Sequence, residues 1–460
     1  MTDVAHPLTE LLCCPRCTRG KLALDSVGWS CATCGSGFPV VGAVPWLVRE
    51  PQDSLAEWRM RLGFLTRQLR DDAARIEHEL ATVSEATPAS DRTVQRLVRQ
   101  SDACRDQAVR IEKFLQPLVL PGVLAPVQRG LGTAMPSEQG LTNYYVNLHR
   151  DWCWGDEEND ASLTECRALL GNGPPLGRTL ILGAGAGRLA YDIHVQLEPS
   201  LTIVSDINPL LLFAAREMFA GHELQLYEFP IAPRAPADVA LLRTLRAPQS
   251  ARAGYHLIAA DALDAPFAPN AFDTIVTPWL IDVVGESLPT FAARINQWLK
   301  PGGRWINTGS LAFNRAAFAD RLSLDEALSV LVTAGFAPPE LREATIAYMR
   351  SPASRHSRLE TIVTWSASKR AQVDPPAPRR LPAWLTNSTM PVPRTASIEF
   401  ESVSARVHAF LLALVNGERS VNDMARLIVE QRLLPADAAE AAVKRFLRRT
   451  FDASEQRDQY

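Results

Sequence analysis

The chain has 460 residues, 47% of them hydrophobic and 22% charged, with a formal net charge of -3. This is the composition of a folded globular protein of about two to four domains, and its charge balance gives no reason to expect a nucleic-acid partner. No apolar run approaches the length of a membrane span, and the opening MTDVAHPLTELL lacks the basic and apolar regions of a secretory leader, so a cytoplasmic location with reduced cysteines is expected.

Residues 8–48 carry two CxxC knuckles, Cys14/Cys17 and Cys31/Cys34, with 13 residues between them. Two knuckles at this distance suit four thiolates around a tetrahedral, structural Zn2+. A segment of about 40 residues buries too little apolar surface to fold firmly alone, so a metal is a natural staple. A redox dithiol pair is the alternative, and it would not need both knuckles. Cys13 adjoins the first knuckle and is expected to be a spectator. The stretches CPRC, WSCATCG and FPVVGAVP resemble the small zinc-ribbon proteins that activate tRNA, rRNA and release-factor methyltransferases as separate subunits. That resemblance implies a stabilising or docking role within the chain, and no catalysis.

Residues 52–120 are expected to be helical. LAEWRMRLGFLTRQLRDDAARIEHELATV has apolar positions at three- and four-residue spacing, TPASD breaks it, and RTVQRLVRQSDACRDQAVRIEKFLQPLV continues as a second helix. This region is expected to be a helical cap on the catalytic domain, and such a cap could close over a substrate. Residues 121–142 follow as a loop rich in proline and glycine.

The organising stretch is Leu180–Asn208. An apolar run, Thr179–Leu182, ends on Gly183, Gly185 and Gly187, a helical pattern follows, and a second apolar run, LTIVSD, closes on Asp206. Glycines after a first strand let a ligand approach the backbone, and the next helix offers free N–H groups there. An acid about 20 residues further on can hold a ribose hydroxyl pair. A dinucleotide fingerprint wants a sixth-position glycine, and here that position is Arg188. The pattern suits S-adenosylmethionine (SAM) better than NAD, with an ordinary tight turn as the bland alternative. Two further segments sharpen it. Tyr255–Asp282 holds a strand into Asp261 and another after Asp273. Ile295–Leu311 holds a helix ending at Lys300, the turn Pro301-Gly302-Gly303, and a strand RWINTG. This order, with LKPGG before a strand, resembles the class I SAM-dependent methyltransferases. The resemblance implies an α/β fold with a Rossmann-like seven-stranded sheet. It also implies that Gly183, Gly185 and Gly187 meet the methionine end, Asp206 the ribose, and Asp261 with Ala262 the adenine.

A narrower resemblance starts upstream. The segment NLHRDWCWGDEE, then GAGAGRLA, LIDVVGES and LKPGGRWINTGSL are similar to the carnosine N-methyltransferase family over residues 143–369. That family methylates an imidazole nitrogen of carnosine and related histidine dipeptides. The similarity implies that Asn147 and Arg150 contact the carboxylate end of SAM; the alternative is that Arg150 only pairs with Asp151 in its helix. A neutral imidazole attacks with one nitrogen while the other keeps its proton, so a carboxylate must accept that N–H. Asp282, expected at the end of the strand carrying TPWLID, is the candidate catalytic and substrate-binding acid, with a helix N-cap as its alternative role. The family's histidine after LKPGGxW falls here on Asn314. Of its aromatic cage only Tyr348 is retained; the second position falls near Glu360, with Trp365 a candidate substitute. The acceptor half is therefore altered, and a histidine derivative, a histidine-containing peptide or protein, or another nitrogen nucleophile stays open.

SLDEALSVLVTAGF, Ser323–Phe336, opens on a serine N-cap and ends at a glycine. Two strands around a polar loop follow and would complete an antiparallel edge of the sheet up to residue 370. Residues 371–396 are proline-rich and read as a linker. Residues 397–455 have the pattern of three short helices. They weakly resemble small winged-helix domains that hold peptide substrates, and a plain helical appendage that packs on the enzyme or a protein partner is the favoured reading. Taken together, the expected function is SAM-dependent N-methylation of a small-molecule or peptide acceptor. The alternatives are a SAM-binding scaffold without catalysis, or a protein or RNA methyltransferase assisted by its fused ribbon. Against the last, TPWL stands where amide and adenine methylating enzymes carry N/D-P-P-Y.

Overall fold

A computed structural model describes residues 6–86, 90–118, 141–142, 144–171, 173–315, 317–374, 383–386 and 389–458. The loop at 121–140 and residues 375–382 and 387–388 of the proline-rich stretch lie outside the described residues. Two compact units are present, residues 1–74 with 89–378, and residues 75–88 with 379–460.

The first unit opens with four short antiparallel strands in sequence order, β1 (Leu22–Leu24), β2 (Gly28–Cys31), β3 (Gly37–Val41) and β4 (Val44–Pro45). The four cysteines of the two knuckles converge there, with all four sulfur atoms within 4.8 Å of one another. This small sheet is welded to the large one. Leu8, Leu11, Leu12, Trp29, Phe38 and Leu47 share a buried cluster with Ile203, Ile258, Phe267 and Phe272. Backbone bonds add to that burial. Leu47 N–H donates to the Ala259 carbonyl at 2.8 Å, Cys13 N–H to Pro266 at 2.9 Å, and Ala268 N–H to Leu11 at 2.9 Å.

The large sheet holds seven strands: β5 (Arg178–Leu182), β6 (Leu201–Asp206), β9 (Tyr255–Ala259), β10 (Phe272–Pro278), β11 (Leu299–Gly309), β12 (Glu340–Tyr348) and β13 (Arg358–Ser368). Their order is β12-β13-β11-β10-β5-β6-β9. β9, β6, β5, β10 and β11 run parallel, and β13 is antiparallel to both its neighbours. This is the Rossmann-like seven-stranded sheet that the sequence led us to expect. Its central strands are buried along most of their length and mainly apolar, because helices cover both faces. Alternate residues supply the two cores. Ile181, Val204 and Val276 face α5 (Arg188–Gln196) and α6 (Pro209–Phe219), whereas Leu180, Leu182 and Ile275 face α7 (Leu288–Trp298) and α8 (Leu324–Thr333). Ser323 caps α8 through a capping box with Glu326. The LKPGG segment is a bulge: Phe272 pairs with Leu299 and Thr274 with Arg304, so Lys300–Gly303 is squeezed out of register. The helix before it ends at Trp298, two residues short of the expected Lys300.

Upstream, α1 (Pro51–Ala86) and α2 (Asp91–Phe114) flank the break at TPASD, and Ser90 caps α2. A two-stranded ribbon, β7 (Leu224–Glu228) with β8 (Leu241–Leu245), was not legible in the sequence. It packs on α2: the Gln107 side chain accepts from Tyr227 N–H at 3.0 Å and donates to the Tyr145 hydroxyl at 2.6 Å. In the second unit, α9 (Ala396–Leu414), α10 (Val421–Glu430) and α11 (Ala436–Asp458) enclose a small core of Leu414, Met424, Ile428, Ala439 and Val443. No strand of a wing is present among its described residues, so the winged-helix resemblance gains nothing. No helix among the described residues is long and apolar enough to cross a membrane.

Lys369 fastens the LKPGG bulge. Its buried ammonium donates to the carbonyls of Asn296 at 2.6 Å and Leu299 at 2.7 Å, and to the Gln372 side chain at 2.6 Å. Lys369→Met removes the donor from these buried acceptors and is expected to lower unfolding free energy by about 2–4 kcal/mol in urea titrations.

Candidate functional site

The carboxyl ends of parallel β6, β5 and β10 lie side by side, and the candidate residues gather along that edge. After β5 the backbone turns through Gly183, Gly185 and Gly187, all with positive φ (68°, 59° and 89°). Each glycine answers a different need. A Cβ at Gly183 would fall 2.6 Å from Leu280, and one at Gly187 2.9 Å from Ala215, whereas one at Gly185 would meet nothing within 4 Å. Gly183 therefore admits the chain leaving β10, Gly187 admits α6, and Gly185 borders open space of the kind a ligand fills.

Asp206 closes the loop from the next strand. Its carboxylate accepts from Gly185 N–H at 2.8 Å and Asn208 N–H at 2.9 Å. Burial raises its pKa, and those backbone donors oppose the rise. Asp261 follows β9 and accepts from Leu263 N–H at 2.9 Å, so it shapes the turn that carries Ala262. The amino-terminal ribbon grips this turn from both sides. Besides the bonds at Ala259 and Pro266, Arg49 pairs with Asp264 at 3.0 Å.

Upstream of β5, α3 (Tyr145–His149) runs into a π-helical turn, Arg150–Trp154, and then α4 (Asp156–Leu170). Such wide turns recur at functional sites. The turn is tied to the glycine loop. Trp152 Nε1–H donates to the Ala186 carbonyl at 2.8 Å, and Arg188 donates to the Asp151 carbonyl at 2.8 Å while pairing with Asp156 and Asp192. Arg188, the residue that breaks the dinucleotide fingerprint, thus anchors the turn. Buried Arg150 pairs with Asp151 at 2.7 Å and Glu158 at 3.2 Å, and its guanidinium lies 5.9 Å from the Tyr348 ring. Burial works against its charge, but the two acids outweigh it and the pKa rises. The pairing of Arg150 thus reaches beyond its own turn to α4 and β12. Asn147 is half-buried on α3. His149 beside it is fully buried, with Nε2 at 3.1 Å from the Tyr227 carbonyl. Burial drops its pKa to about 3, which keeps the ring neutral.

The residues expected to meet the acceptor begin past β10. That strand stops at Pro278, and Asp282 sits in a turn beyond it rather than at the strand end. It is no helix cap, because Ser287 holds that place for α7. Asp282 is half-buried, and burial raises its pKa, opposed by its own and the Ala312 backbone N–H and by the charge of Arg315. Arg315 secures the turn through the carbonyls of Ile281 (2.8 Å) and Val284. Asn314 itself is exposed, so its neighbour Arg315 makes these contacts.

Trp279 has φ of +50°, a costly conformation for a bulky side chain. It is held by its N–H bond to the Thr308 carbonyl at 2.8 Å and by Gly309, where a Cβ would lie 2.9 Å from Trp279 Cα. The indole packs against the Tyr348 ring, centroids 4.8 Å apart. Arg358 lies 4.5 Å over Tyr348 and pairs with Glu360 at 2.8 Å. Trp365 does not join this group. Along β13 it has opposite parity to Arg358 and Glu360, and it is buried against Trp305 at 5.7 Å. That parity was available in the sequence. The roles of Trp279 and Arg315 as site neighbours had no such signal.

Comparison with known proteins agrees with the sheet. Residues 180–307 match the family model for a methyltransferase domain. No curated protein matches the chain. Among solved structures, it is similar to phosphoethanolamine N-methyltransferase 2 of Haemonchus contortus, with 15% identity, 52% of this chain and 61% of that one covered, and a TM-score of 0.34. The chain therefore spans less than two thirds of that enzyme's length. It is also similar to the N-methyltransferase NodS from Bradyrhizobium japonicum, with 14% identity, 46% and 97% covered, and a TM-score of 0.32. A third similarity is to an S-adenosylmethionine dependent methyltransferase from Mesorhizobium loti, with 15% identity, 46% and 100% covered, and a TM-score of 0.29. The match to a methyltransferase domain runs from within β5 to within β11.

Trp152→Phe keeps the ring but removes its bond to the glycine loop. It is expected to weaken SAM binding roughly fivefold, about 1 kcal/mol, by isothermal titration.

Proposed function

We propose that this protein transfers the methyl group of SAM to an imidazole or other nitrogen of a small histidine-containing compound or peptide. The observation that carries this proposal is Asp282: a half-buried carboxyl at the acceptor edge, three residues from the Trp279–Tyr348 pair and two strands from Asp206. SAM, when bound, supplies an electrophilic methyl on a positively charged sulfur. In this proposal Gly183, Gly185 and Gly187 with Asn147 and Arg150 hold its methionine end, Asp206 the ribose, and Asp261 with Ala262 the adenine. The chain's own work is orientation and proton placement. Asp282 accepts the N–H of the acceptor ring, which leaves the opposite nitrogen's lone pair free to attack. The same carboxylate then faces the cation that forms. Tyr348 and Trp279 offer an apolar wall. Glu360 is engaged with Arg358 and Asn314 is exposed, so the far side of the pocket is polar and open. That favours a histidine carried in a peptide over carnosine itself. Residues 143–370 are the proposed catalytic domain, the 52–120 helices its cap, and residues 397–455 a helical appendage for a protein partner.

We propose further that Cys14, Cys17, Cys31 and Cys34 hold a structural zinc ion. Thiolates about 2.3 Å from a tetrahedral zinc lie about 3.8 Å from one another. Here Cys14 and Cys34 are 3.6 Å apart and Cys17 and Cys31 3.8 Å, spacings of shared ligation and far longer than a disulfide. Cys13 points elsewhere, to the Phe267 carbonyl at 3.2 Å.

The first test is methyl transfer from labelled SAM to histidine, carnosine and short histidine peptides, with the product nitrogen identified. Asp282→Asn is expected to lower kcat about 10²–10⁴-fold. Transfer that survives in this variant would overturn the role of Asp282. Because burial raises the Asp282 pKa, the carboxylate exists only above a pH higher than the ordinary aspartate value of about 4. The acid limb of the kcat profile is therefore displaced upward. The linkage has a second consequence. An acid whose folded pKa is raised is destabilising once ionised, so at pH 7 Asp282→Asn is expected to melt higher than wild type while turning over less.

For the ribbon, metal analysis is expected to find one zinc per chain in the wild type and none in Cys17→Ser. Loss of the metal is expected to lower both the melting temperature and the affinity for SAM, because the ribbon holds the turn bearing Asp261.

A further inference from the structure

Glu158 lies in the first turn of α4 and is 6% exposed. Its two oxygens are committed to different parts of the chain. Oε1 lies 3.2 Å from Nη1 of Arg150, in the π-helical turn, and Oε2 accepts from the Met349 N–H at 2.9 Å, 191 positions downstream. A buried carboxylate is costly unless it is both paired and hydrogen-bonded, so the two contacts belong together.

Each contact fixes a conformation that a freer chain would leave. Met349 has φ of +54°, a left-handed value that a residue with a side chain keeps only when its surroundings impose it. The bond from its N–H to Glu158 is one such imposition. The rest of the turn is tied elsewhere, Arg355 N–H to the Ala232 carbonyl at 2.8 Å and the Ser351 hydroxyl to Glu228. At the other oxygen, Arg150 is folded back against its own turn, where a Cβ at Gly155 would fall 2.6 Å from Arg150 Cγ. Its Nε faces Asp151 and its Nη1 faces Glu158, which leaves Nη2 to meet a ligand. Tyr348, the residue before Met349, carries its ring 5.9 Å from the same guanidinium and against Trp279. Arg150, Glu158 and the Tyr348–Met349 turn therefore form a closed circuit of contacts.

We infer that Glu158 is a positioning residue that couples the two halves of the site. The inference rests on the proposed placement, in which Arg150 meets the carboxylate of SAM and Tyr348 lines the acceptor pocket. The hairpin turn opens at Met349 only when Glu158 releases the N–H. A SAM carboxylate on Arg150 holds the guanidinium still, the guanidinium holds Glu158, and Glu158 then releases Met349 less often. SAM thus firms the acceptor wall before the acceptor arrives, and by linkage an acceptor on that wall tightens SAM. Glu158 acts through Arg150 and Tyr348 without touching either ligand, and no proton passes through it.

The test is hydrogen–deuterium exchange of the full chain with and without SAM, read in peptides spanning Tyr348–Ser351, alongside SAM binding by isothermal titration. In the wild type SAM is expected to slow exchange at Met349 about fivefold. Glu158→Gln can offer its one oxygen to Met349 or to Arg150 but not to both. In that variant SAM is expected to leave the exchange rate unchanged and to bind roughly fivefold more weakly. Glu157→Gln is the control. Glu157 joins the same two elements through Arg350 at 4.0 Å, but both side chains are largely exposed, and such a pair contributes little. It is expected to keep the wild-type protection, and an equal loss there overturns the inference. Absence of protection by SAM in the wild type also overturns it, whether or not any variant folds. Protection that survives in Glu158→Gln overturns it as well, since faster exchange with the SAM effect intact is what a merely structural acid would give. A failure of the SAM placement shows as Arg150→Met binding SAM like the wild type, and the inference falls with it. A failure of the imidazole reading shows instead as absent transfer with the protection intact, and the coupling then stands.

Discussion

Parallel pairing of β10, β5 and β6 is the constraint on which the site depends. Parallel strands in one register end on the same edge, and whatever follows each strand is delivered there. Three unrelated stretches, the glycine turn, Asp206 and the Trp279–Asp282 exit, meet for that reason alone. The pairing itself rests on side chains with no chemistry: Leu180, Ile181, Ile203, Val204, Ile275 and Val276, all buried. The close fit of the three exits is set by what is missing. Gly183 has no Cβ because Leu280 occupies the space, and Gly309 has none because Trp279 crosses over it.

Two outer layers hold this edge in shape. The π-helical turn is bolted to the glycine loop by Trp152 and Arg188, so the segment with Asn147 and Arg150 cannot move independently of the loop. On the other flank the four-cysteine ribbon brackets the Asp261 turn at Ala259, Asp264 and Pro266. The ribbon also covers the carboxyl end of the edge strand β9. Trp46 bridges Ala259 in parallel, which pairs the edge where it meets the Asp261 turn.

Much of this was legible in the sequence, and the physical reason is locality. A strand that ends on glycines, an acid-ended second strand, a Pro-Gly-Gly stop and two CxxC knuckles each announce themselves within a few residues. The β7–β8 ribbon announces nothing. Its strands are only five residues each, with polar and charged positions among the apolar ones, and much of their support comes from α2, more than a hundred residues upstream, through Gln107. Asp282 was found as a residue but placed a few positions early, because nothing local marks where β10 stops. The left-handed Trp279 opposes its own propensity and exists only because β11 pairs against it.

The ribbon's covalent attachment changes the kind of contact it makes. A separate subunit must find its partner by collision and hold it by affinity. Here Leu47 and the Ala259 it bonds belong to one chain, so the contact is intramolecular and forms at an effective concentration on the order of millimolar. The interface therefore needs little affinity of its own, and the ratio of ribbon to enzyme stays at one whatever the expression level. A sequence free of the need to recruit can exchange one apolar side chain for another at this interface while the buried cluster around Leu11, Leu12 and Leu47 stays filled, since the main-chain pairing does not depend on side-chain identity.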